Sequence, residues 1–372
     1  MKEFDKIIGY EEIKQELYQI CDMVKNRAIY EQMGAKVPHG ILIHGAPGLG
    51  KSMMANALME ACECRGYVLR RSSPDGDFIR AITNCFEQAS APGFSVILLD
   101  DLDKFAADCD SEEEFAAVQA GIDSVKDKDV LVIATVNHMR RLPNSLLRAG
   151  RFDRTIEMPY PEGEDSLAII RHYMQSKAFV QDVNYDDIAK MLYGRSCAEL
   201  ETVINEAAIY AAYERRSSIG MEHLVRATLR DVYGAKGRSG PMSDKEREET
   251  AYHEAGHTLV AEVIEPGCVG MASVSVSSGG DMGGFMLRCG QPARRAYAIL
   301  TALGGKAACE MRYGKVASGT NKDLADALTH LNYSIRSIGT AGVGFLEATG
   351  RNESLSELGG TNIEAAARVE LE

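Results

Sequence analysis

Gly45-Ala46-Pro47-Gly48-Leu49-Gly50-Lys51-Ser52 fits the pattern G-x-x-x-x-G-K-[ST] at every fixed position. The apolar run Gly40-Ile41-Leu42-Ile43-His44 leads into it and reads as a buried strand. The helix-forming run Met53-Met54-Ala55-Asn56-Ala57-Leu58-Met59 follows. Strand, loop and helix in that order are what a phosphate cradle needs. Its glycines let backbone N–H groups turn inward around phosphate oxygens, and the helix N-terminus adds partial positive charge. Lys51 can reach the β- and γ-phosphates of ATP, and the Ser52 hydroxyl can hold Mg²⁺.

Working outward, Val96-Ile97-Leu98-Leu99 is an apolar strand that ends in Asp100-Asp101. Beside a P-loop strand, Asp100 can order the Mg²⁺ shell and Asp101 can orient and polarise the attacking water. A further strand over 129–136 ends at Asn137, which can bridge Asp101 and the γ-phosphate side of the site. Arg148 and Arg151 precede a strand at Thr155-Ile156-Glu157-Met158. They read either as ordinary salt-bridge partners or as fingers reaching a neighbouring subunit's γ-phosphate. Toward the N-terminus, residues from Phe4 to about Val24 carry apolar positions at helical spacing, after an Ile7-Ile8-Gly9 turn. A helix is expected from Asp77 to Gln88, and the acidic run 108–114 reads as a solvated helix start.

The whole chain sets outer limits. Its 372 residues suggest two or three domains. Net charge of −13 argues against a nucleic-acid backbone as the main partner. Apolar runs fall short of the ~18 residues of a membrane span. The start Met1-Lys2-Glu3-Phe4-Asp5-Lys6 lacks the apolar core of a signal peptide. The nine cysteines are scattered without a C-x-x-C pair, so reduced thiols in a cytoplasmic protein are expected, with Cys85 and Cys197 as packing residues.

After Pro161-Glu162-Gly163 the pattern is helical to about Val232, including a long helix through Glu199-Leu200 to Tyr213. A Gly-, Ser- and Lys/Arg-rich linker follows over 234–243. Ser243 and Glu246 form a capping box for a helix that runs to Glu265 and stops at Pro266-Gly267. Inside it lies His253-Glu254-Ala255-Gly256-His257. Histidines at i and i+4 share a helix face and can both bind one Zn²⁺. Glu254, beside that face, can take a proton from water at the metal. Gly256 costs about 1 kcal/mol of helix propensity relative to Ala, which suggests that another element approaches closely. A third protein ligand is required. Asp323, at the start of a helix expected over 321–338, is the best candidate on spacing, with His330 and Glu310 as rivals that chemistry alone does not exclude. Between these elements Ala272 to Ser277 alternates as a strand. The stretch from Gly279 to Met286 suggests a turn and a flat edge that could hold an extended peptide by main-chain pairing.

The two sites, in this order, resemble the FtsH family of ATP-dependent AAA+ zinc metalloproteases, over nearly the whole chain. Gly45–Ser52 is similar to the family's Walker A loop, Leu99-Asp100-Asp101-Leu102-Asp103 to its Walker B segment, and Asn137 falls at the sensor position. Arg148-Ala149-Gly150-Arg151-Phe152-Asp153-Arg154 resembles the finger segment, and Gly194 to Leu200 the second sensor region. Ala251 to His257 resembles the zinc helix, and Leu303 to Ala308 and Ser318 to Asp323 follow in family order. The resemblance implies an α/β AAA+ core, a doubly wound parallel sheet over residues 1–160. A helical lid over 161–233, a linker over 234–243 and a mostly helical zinc-peptidase domain over 244–372, cut short at its end, would follow. It places Ile8, Gly9 and Ala198 around the nucleotide, makes Asp323 the third zinc ligand and leaves Glu310 a supporting residue. It further implies a homo-hexamer in which Arg148 and Arg151 complete the neighbour's ATP site, with unfolded or tagged proteins as substrates.

The departures from the family pattern carry expectations of their own. No N-terminal span is present, so a soluble variant or a fragment is expected, membrane-associated only if an anchor is missing. Asp101 stands where the family has Glu, the aromatic–Val–Gly gripping loop is replaced over 71–78, and Asp123-Ser124-Val125 replaces an intersubunit Asp-Gly-Phe. An ATP-fuelled zinc endopeptidase is the leading reading. A remodelling ATPase with a silent peptidase domain is the alternative.

Overall fold

A computed structural model describes residues 2–35, 38–71, 78–106, 113–148, 150–179, 183–232, 243–274, 284–315 and 320–334. Most of the gripping-loop stretch, Ala149, the interdomain linker, the turn at 279–283, Ser318-Gly319 and the C-terminal segment therefore lie outside the described residues. The chain divides into two compact units, Met1–Phe179 with Gly194–Asn205, and Val180–Tyr193 with Glu206–Glu372.

In the first unit a single 3-10 turn at Phe4–Lys6 precedes α1 (Glu11–Lys25) and α2 (Arg27–Gln32). The entry helix expected after the Ile7-Ile8-Gly9 turn is α1, which begins at Glu11, while Phe4 lies in the separate 3-10 turn. Gly9 and Tyr10 both adopt left-handed backbone conformations, φ +75° and +59°, which a helix cannot contain. Tyr10 is held there by distant partners: its N–H donates to Asp165 Oδ1 at 2.9 Å and its hydroxyl to the Pro159 carbonyl at 3.0 Å.

The elements that follow are β1 (Gly40–His44), α3 (Lys51–Ala61), β2 (Arg65–Leu69), α4 (Phe78–Ala89), β3 (Ser95–Leu99), α5 (Glu113–Ser124), β4 (Val130–Val136), β5 (Arg154–Glu157) and α6 (Gly163–Gln175). All five strands are parallel, in the order β2-β3-β4-β1-β5. Every residue of β3 and β4 is buried. That is why these strands read as unbroken apolar runs rather than alternating ones: helices cover both faces of the sheet. Ile82 and Phe86 of α4 and Val118 and Ile122 of α5 pack on Ile97, Leu99, Val132 and Ala134 of the strands. After β1 the chain leaves the middle of the sheet for the far edge strand β2. The break in strand order lies between β1 and β4, and ligand crevices in open α/β sheets form at the carboxyl ends of strands flanking such a break.

The second unit holds α7 (Tyr185–Met191), the latter part of α8 (Cys197–Tyr213), α9 (Met221–Asp231), α10 (Asp244–Ile264), β6 (Val269–Ser273), β7 (Phe285–Arg288), α11 (Arg295–Tyr313) and α12 (Thr320–Tyr333). The capping box forms: the Ser243 hydroxyl accepts from the Glu246 N–H at 3.2 Å, and Glu246 Oε2 accepts from the Ser243 N–H at 2.9 Å. The strand expected over 272–277 instead begins at Val269 and pairs antiparallel with β7, Ala272 opposite Met286. Glu262 fixes this earlier start by accepting the N–H groups of Gly267 and Val269 at 2.7 and 2.8 Å. Among the described residues no helix is long and apolar enough to cross a membrane.

The helix penalty at Gly256 has its reason in α11. A Cβ at Gly256 would stand 2.3 Å from the Gly304 carbonyl oxygen and 2.7 Å from Ala308 Cβ. A Cβ at Gly304 would likewise stand 2.6 Å from the Gly256 carbonyl oxygen. The two backbones therefore touch with no side chain between them. Gly256→Ala should force the helices apart and lower stability by roughly 1–3 kcal/mol, read as a fall in the thermal or denaturant midpoint.

Candidate functional site

The nucleotide cradle is built where β1, β3 and β4 end. Gly45, Gly48 and Gly50 carry φ of +150°, +79° and +93°, and Gly50 caps α3. A Cβ at Gly45 would stand 2.3 Å from the Met158 carbonyl oxygen, so that position tolerates only glycine. With Ala46, Pro47 and Leu49 these glycines wrap the chain around the amino end of α3. Lys51 is 5% exposed, and its ammonium donates to the carbonyls of Gly45 and Ala46 at 2.8 and 2.6 Å. Burial lowers its pKa, opposed by Asp101, Asp103 and Asp100.

Asp100 is the hub of the acidic side. Its Oδ1 accepts from the hydroxyls of Ser52 and Thr135, both at 2.7 Å, and its Oδ2 from the Arg70 guanidinium. A serine hydroxyl beside a buried carboxylate is a hard-oxygen pair that suits Mg²⁺. Asp101 has φ +57°, which turns its carboxylate back over the strand end. Its Oδ1 accepts from the Asn137 side-chain amide at 3.0 Å and its Oδ2 from Lys104 at 2.9 Å. Burial works against its ionisation, but Lys104 and Asn137 prevail and the pKa is lowered. Asp103, 2% exposed, accepts the backbone N–H groups of Asn137 and His138 and so holds the Asn137 loop.

The remaining expected nucleotide residues divide. Ala198 joins the P-loop: its N–H donates to the Gly48 carbonyl at 3.1 Å. Gly9 is buried against Asp165, and Ile8 is half-buried next to it. Arg148 is exposed, whereas Arg151 forms a two-point ion pair with Asp123 of its own chain at 2.8 and 3.0 Å. Arg151 is thus bonded within its own loop and α5, to Ser145 and Asp123, and, among the described residues, not to the P-loop. Thr135 and Arg70 were not singled out in the sequence, and Asp103 was quoted in the Leu99–Asp103 segment without a role of its own. Thr135 could have been found, as a hydroxyl inside the otherwise apolar run of β4.

The metal centre lies in the second unit. One turn of α10 projects His253 and His257 to the same side, and Asp323 comes from the first turn of α12. The three donor atoms lie within 4.8 Å of one another, with Asp323 Oδ2 at 3.0 Å from His253 Nε2 and 3.4 Å from His257 Nε2. Neither contact has hydrogen-bond geometry, so this buried oxygen lacks a hydrogen-bond partner among the described residues. Two imidazole nitrogens and an orphaned carboxylate oxygen are the donor set of a catalytic zinc site with one position left open. The residues fit the metal.

Packing tunes the donors. His257 Nδ1–H donates to the Thr301 carbonyl at 2.7 Å, which leaves the Nε2 lone pair facing Asp323 and His253. A Cβ at Gly305 would come within 2.5 Å of His257 Nε2 and 2.6 Å of His253 Cε1, so both rings occupy the space that glycine vacates. Burial opposes the charge of His257, but Asp323, the Thr301 carbonyl and Glu254 outweigh it and the pKa rises. For Asp323 burial is likewise overcome by the two histidines, which hold the carboxyl far below the usual range. Glu254 is 8% exposed and stands outside the ligand trio. Burial raises its pKa, only partly offset by His257 and His253. A Cβ at Gly284, at the entry to β7, would stand 2.9 Å from Glu254 Oε1.

Neither rival third ligand reaches the centre. Glu310, expected to support it, is instead partly exposed and paired with Lys306 at 2.9 Å. One helical period separates Glu310 from Lys306, whereas the side of α11 that faces the histidines of α10 is the one with Gly304 and Gly305. His330 lies two turns beyond Asp323 on α12 and is not in the donor cluster. Gly305 was quoted only within the Leu303–Ala308 stretch and Thr301 went unread, because α11 was not anticipated as a helix and a backbone carbonyl leaves no mark in the sequence.

Known proteins share these features. Family models match residues 41–160 (ATPase family associated with various cellular activities), 182–226 (AAA+ lid domain) and 241–368 (Peptidase family M41). ATP-dependent zinc metalloprotease FtsH 2 of Sphaerobacter thermophilus is 28% identical, over 99% of this chain and 59% of that protein. FtsH of Ureaplasma parvum serovar 3 is 30% identical, over 92% and 50%. FtsH 3 of Sphaerobacter thermophilus is 31% identical, over 87% of this chain and 70% of that protein. The chain thus spans 59% and 50% of the length of the first two. With both domains matched in order and 70% of one relative covered at 31% identity, the chain belongs to the FtsH family of ATP-dependent zinc metalloproteases.

Proposed function

We propose that this chain hydrolyses ATP at the P-loop and uses the energy to deliver protein substrates to peptide-bond cleavage at the His253, His257 and Asp323 centre. The observation that carries this reading is Asp323 Oδ2, buried without a hydrogen bond between two imidazoles, with a buried carboxylate, Glu254, next to it. Leaving such an oxygen unpaired costs several kcal/mol unless a cation joins it.

His253, His257 and Asp323 would hold zinc, which supplies Lewis acidity toward a peptide carbonyl. Glu254, buried beside the ligand trio, would take a proton from the attacking water and pass it to the leaving amine. The β6–β7 ribbon can pair with an extended substrate main chain beside Glu254, because Gly284 carries no side chain to stand in the way. At the other site Lys51 and the P-loop N–H groups bind the phosphates, Ser52 and Asp100 serve Mg²⁺, and Asp101, oriented by Asn137, polarises water. The division into domains at residues 1–160, 161–233 and 244–372 belongs to this proposal. So do the ring of six, the fingers Arg148 and Arg151, and unfolded or tagged proteins as substrates. In a ring, Arg151 must exchange Asp123 for a neighbour's phosphate.

Two outcomes test the reading. Glu254→Gln, compared with wild type in casein cleavage with and without ATP, should lose roughly 10²-fold or more of the ATP-dependent rate while still binding zinc. Equal cleavage by both would remove Glu254 from its role. Asp101→Asn should reduce ATP turnover by about 10²-fold or more with nucleotide affinity little changed. An unchanged turnover number would mean that another group orients the water.

A further inference from the structure

Both carboxylate oxygens of Asp100 are engaged from within the chain. Two hydroxyls occupy Oδ1 and the Arg70 guanidinium occupies Oδ2, with the carboxylate side chain 5% exposed. Arg70 is the first residue after β2, next to the end of β3 that carries Asp100. Its side chain is 58% exposed, so it reaches the acidic pocket from solvent and is not packed into place. Its neighbour Arg71 behaves differently. That side chain is 14% exposed, pairs with Glu114 at 3.0 Å and donates to the Phe105 carbonyl. One arginine thus anchors the segment, and the other is free to leave. Arg70 also lies close enough to Asp101 to favour its charged form. Asp100, Asp101 and Asp103 crowd into four residues, and the cations facing them are Lys51 of α3, Arg70 after β2 and Lys104 of the turn that carries Asp103. These three positive charges match the three carboxylates in number.

We infer that Arg70 is a positioning residue that acts through Asp100: it is an internal counter-ion that occupies the carboxylate in the metal-free state and must be displaced when Mg²⁺ and nucleotide bind. This goes beyond the ATPase reading and rests on it. Two consequences follow. Arg70 raises the Mg²⁺ concentration needed to complete the site, because the metal competes with a guanidinium for one oxygen. Arg70 also favours nucleotide without metal, because it screens the phosphates from a bare carboxylate at close range. Removing it should therefore strengthen the coupling between Mg²⁺ and ATP.

The test is equilibrium binding of a fluorescent ATP analogue to the full chain. Mg²⁺ is titrated in one series and EDTA is present in the other, with wild type, Arg70→Ala and Arg70→Lys compared. Arg70→Ala should lower the half-saturating Mg²⁺ about threefold to tenfold and weaken binding in EDTA by a similar factor, the range expected for one net hydrogen bond at a largely exposed side chain. Arg70→Lys, which keeps the charge, should lie near wild type. Melting curves alongside should show both variants folded, as expected for a side chain so exposed. An unchanged Mg²⁺ midpoint in Arg70→Ala would overturn the inference. Equal weakening with Mg²⁺ and with EDTA would overturn it as well, because it would mark Arg70 as merely structural. Nucleotide bound by wild type in neither series would remove the ATPase reading itself, and this inference with it.

Discussion

A carboxylate oxygen buried between two imidazoles, with no hydrogen bond to satisfy it, is a costly arrangement for a polypeptide to build. The second unit contains several features that make sense only as ways of holding it. Gly256 and Gly304 let α10 and α11 meet backbone to backbone, and Gly305 leaves room for both rings. The Thr301 carbonyl then selects the tautomer of His257. The amino end of α12 brings in Asp323, where the helix dipole favours its negative charge. The glycines cost helix propensity, and together with the Thr301 and α12 contacts they make a site for a divalent cation.

Charge crowding organises the first unit in the same way. Three aspartates follow the end of β3, and each is answered by a specific donor: Thr135, Ser52 and Arg70 for Asp100, Asn137 and Lys104 for Asp101, and two backbone N–H groups for Asp103. The fully buried strands β3 and β4 fix the origin of these contacts. Lys51, folded onto the carbonyls of its own loop, is poised to trade them for phosphate oxygens.

Local chemistry was the legible part of the sequence. The P-loop, the Asp100-Asp101 pair, Asn137 and the His253–His257 pair are defined by spacing within one element, and each lies where its spacing put it. Asp323 could be named only as one of three, since its approach to the histidines depends on how α10, α11 and α12 pack. The resemblance to a known family chose it, and the geometry brings it to the histidines while Glu310 turns to Lys306. What was misread had tertiary causes. The apolar spacing before the Ile7-Ile8-Gly9 turn does not join the entry helix, because Asp165 and Pro159 hold Tyr10 from far along the chain. The β6 strand starts early because Glu262 caps the turn before it. Helix α11 was obscured by the Gly304-Gly305 pair, residues poor in helix propensity that serve the metal site.

The most direct measurement is the metal content of the purified, folded full chain beside an Asp323→Asn variant. The account predicts zinc in proportion to protein for wild type. The variant, which keeps the shape of the side chain but not its charge, should lose that zinc far more readily to a chelator. A folded wild-type sample that takes up no metal when offered zinc, or a variant that retains it as tightly, would contradict the account.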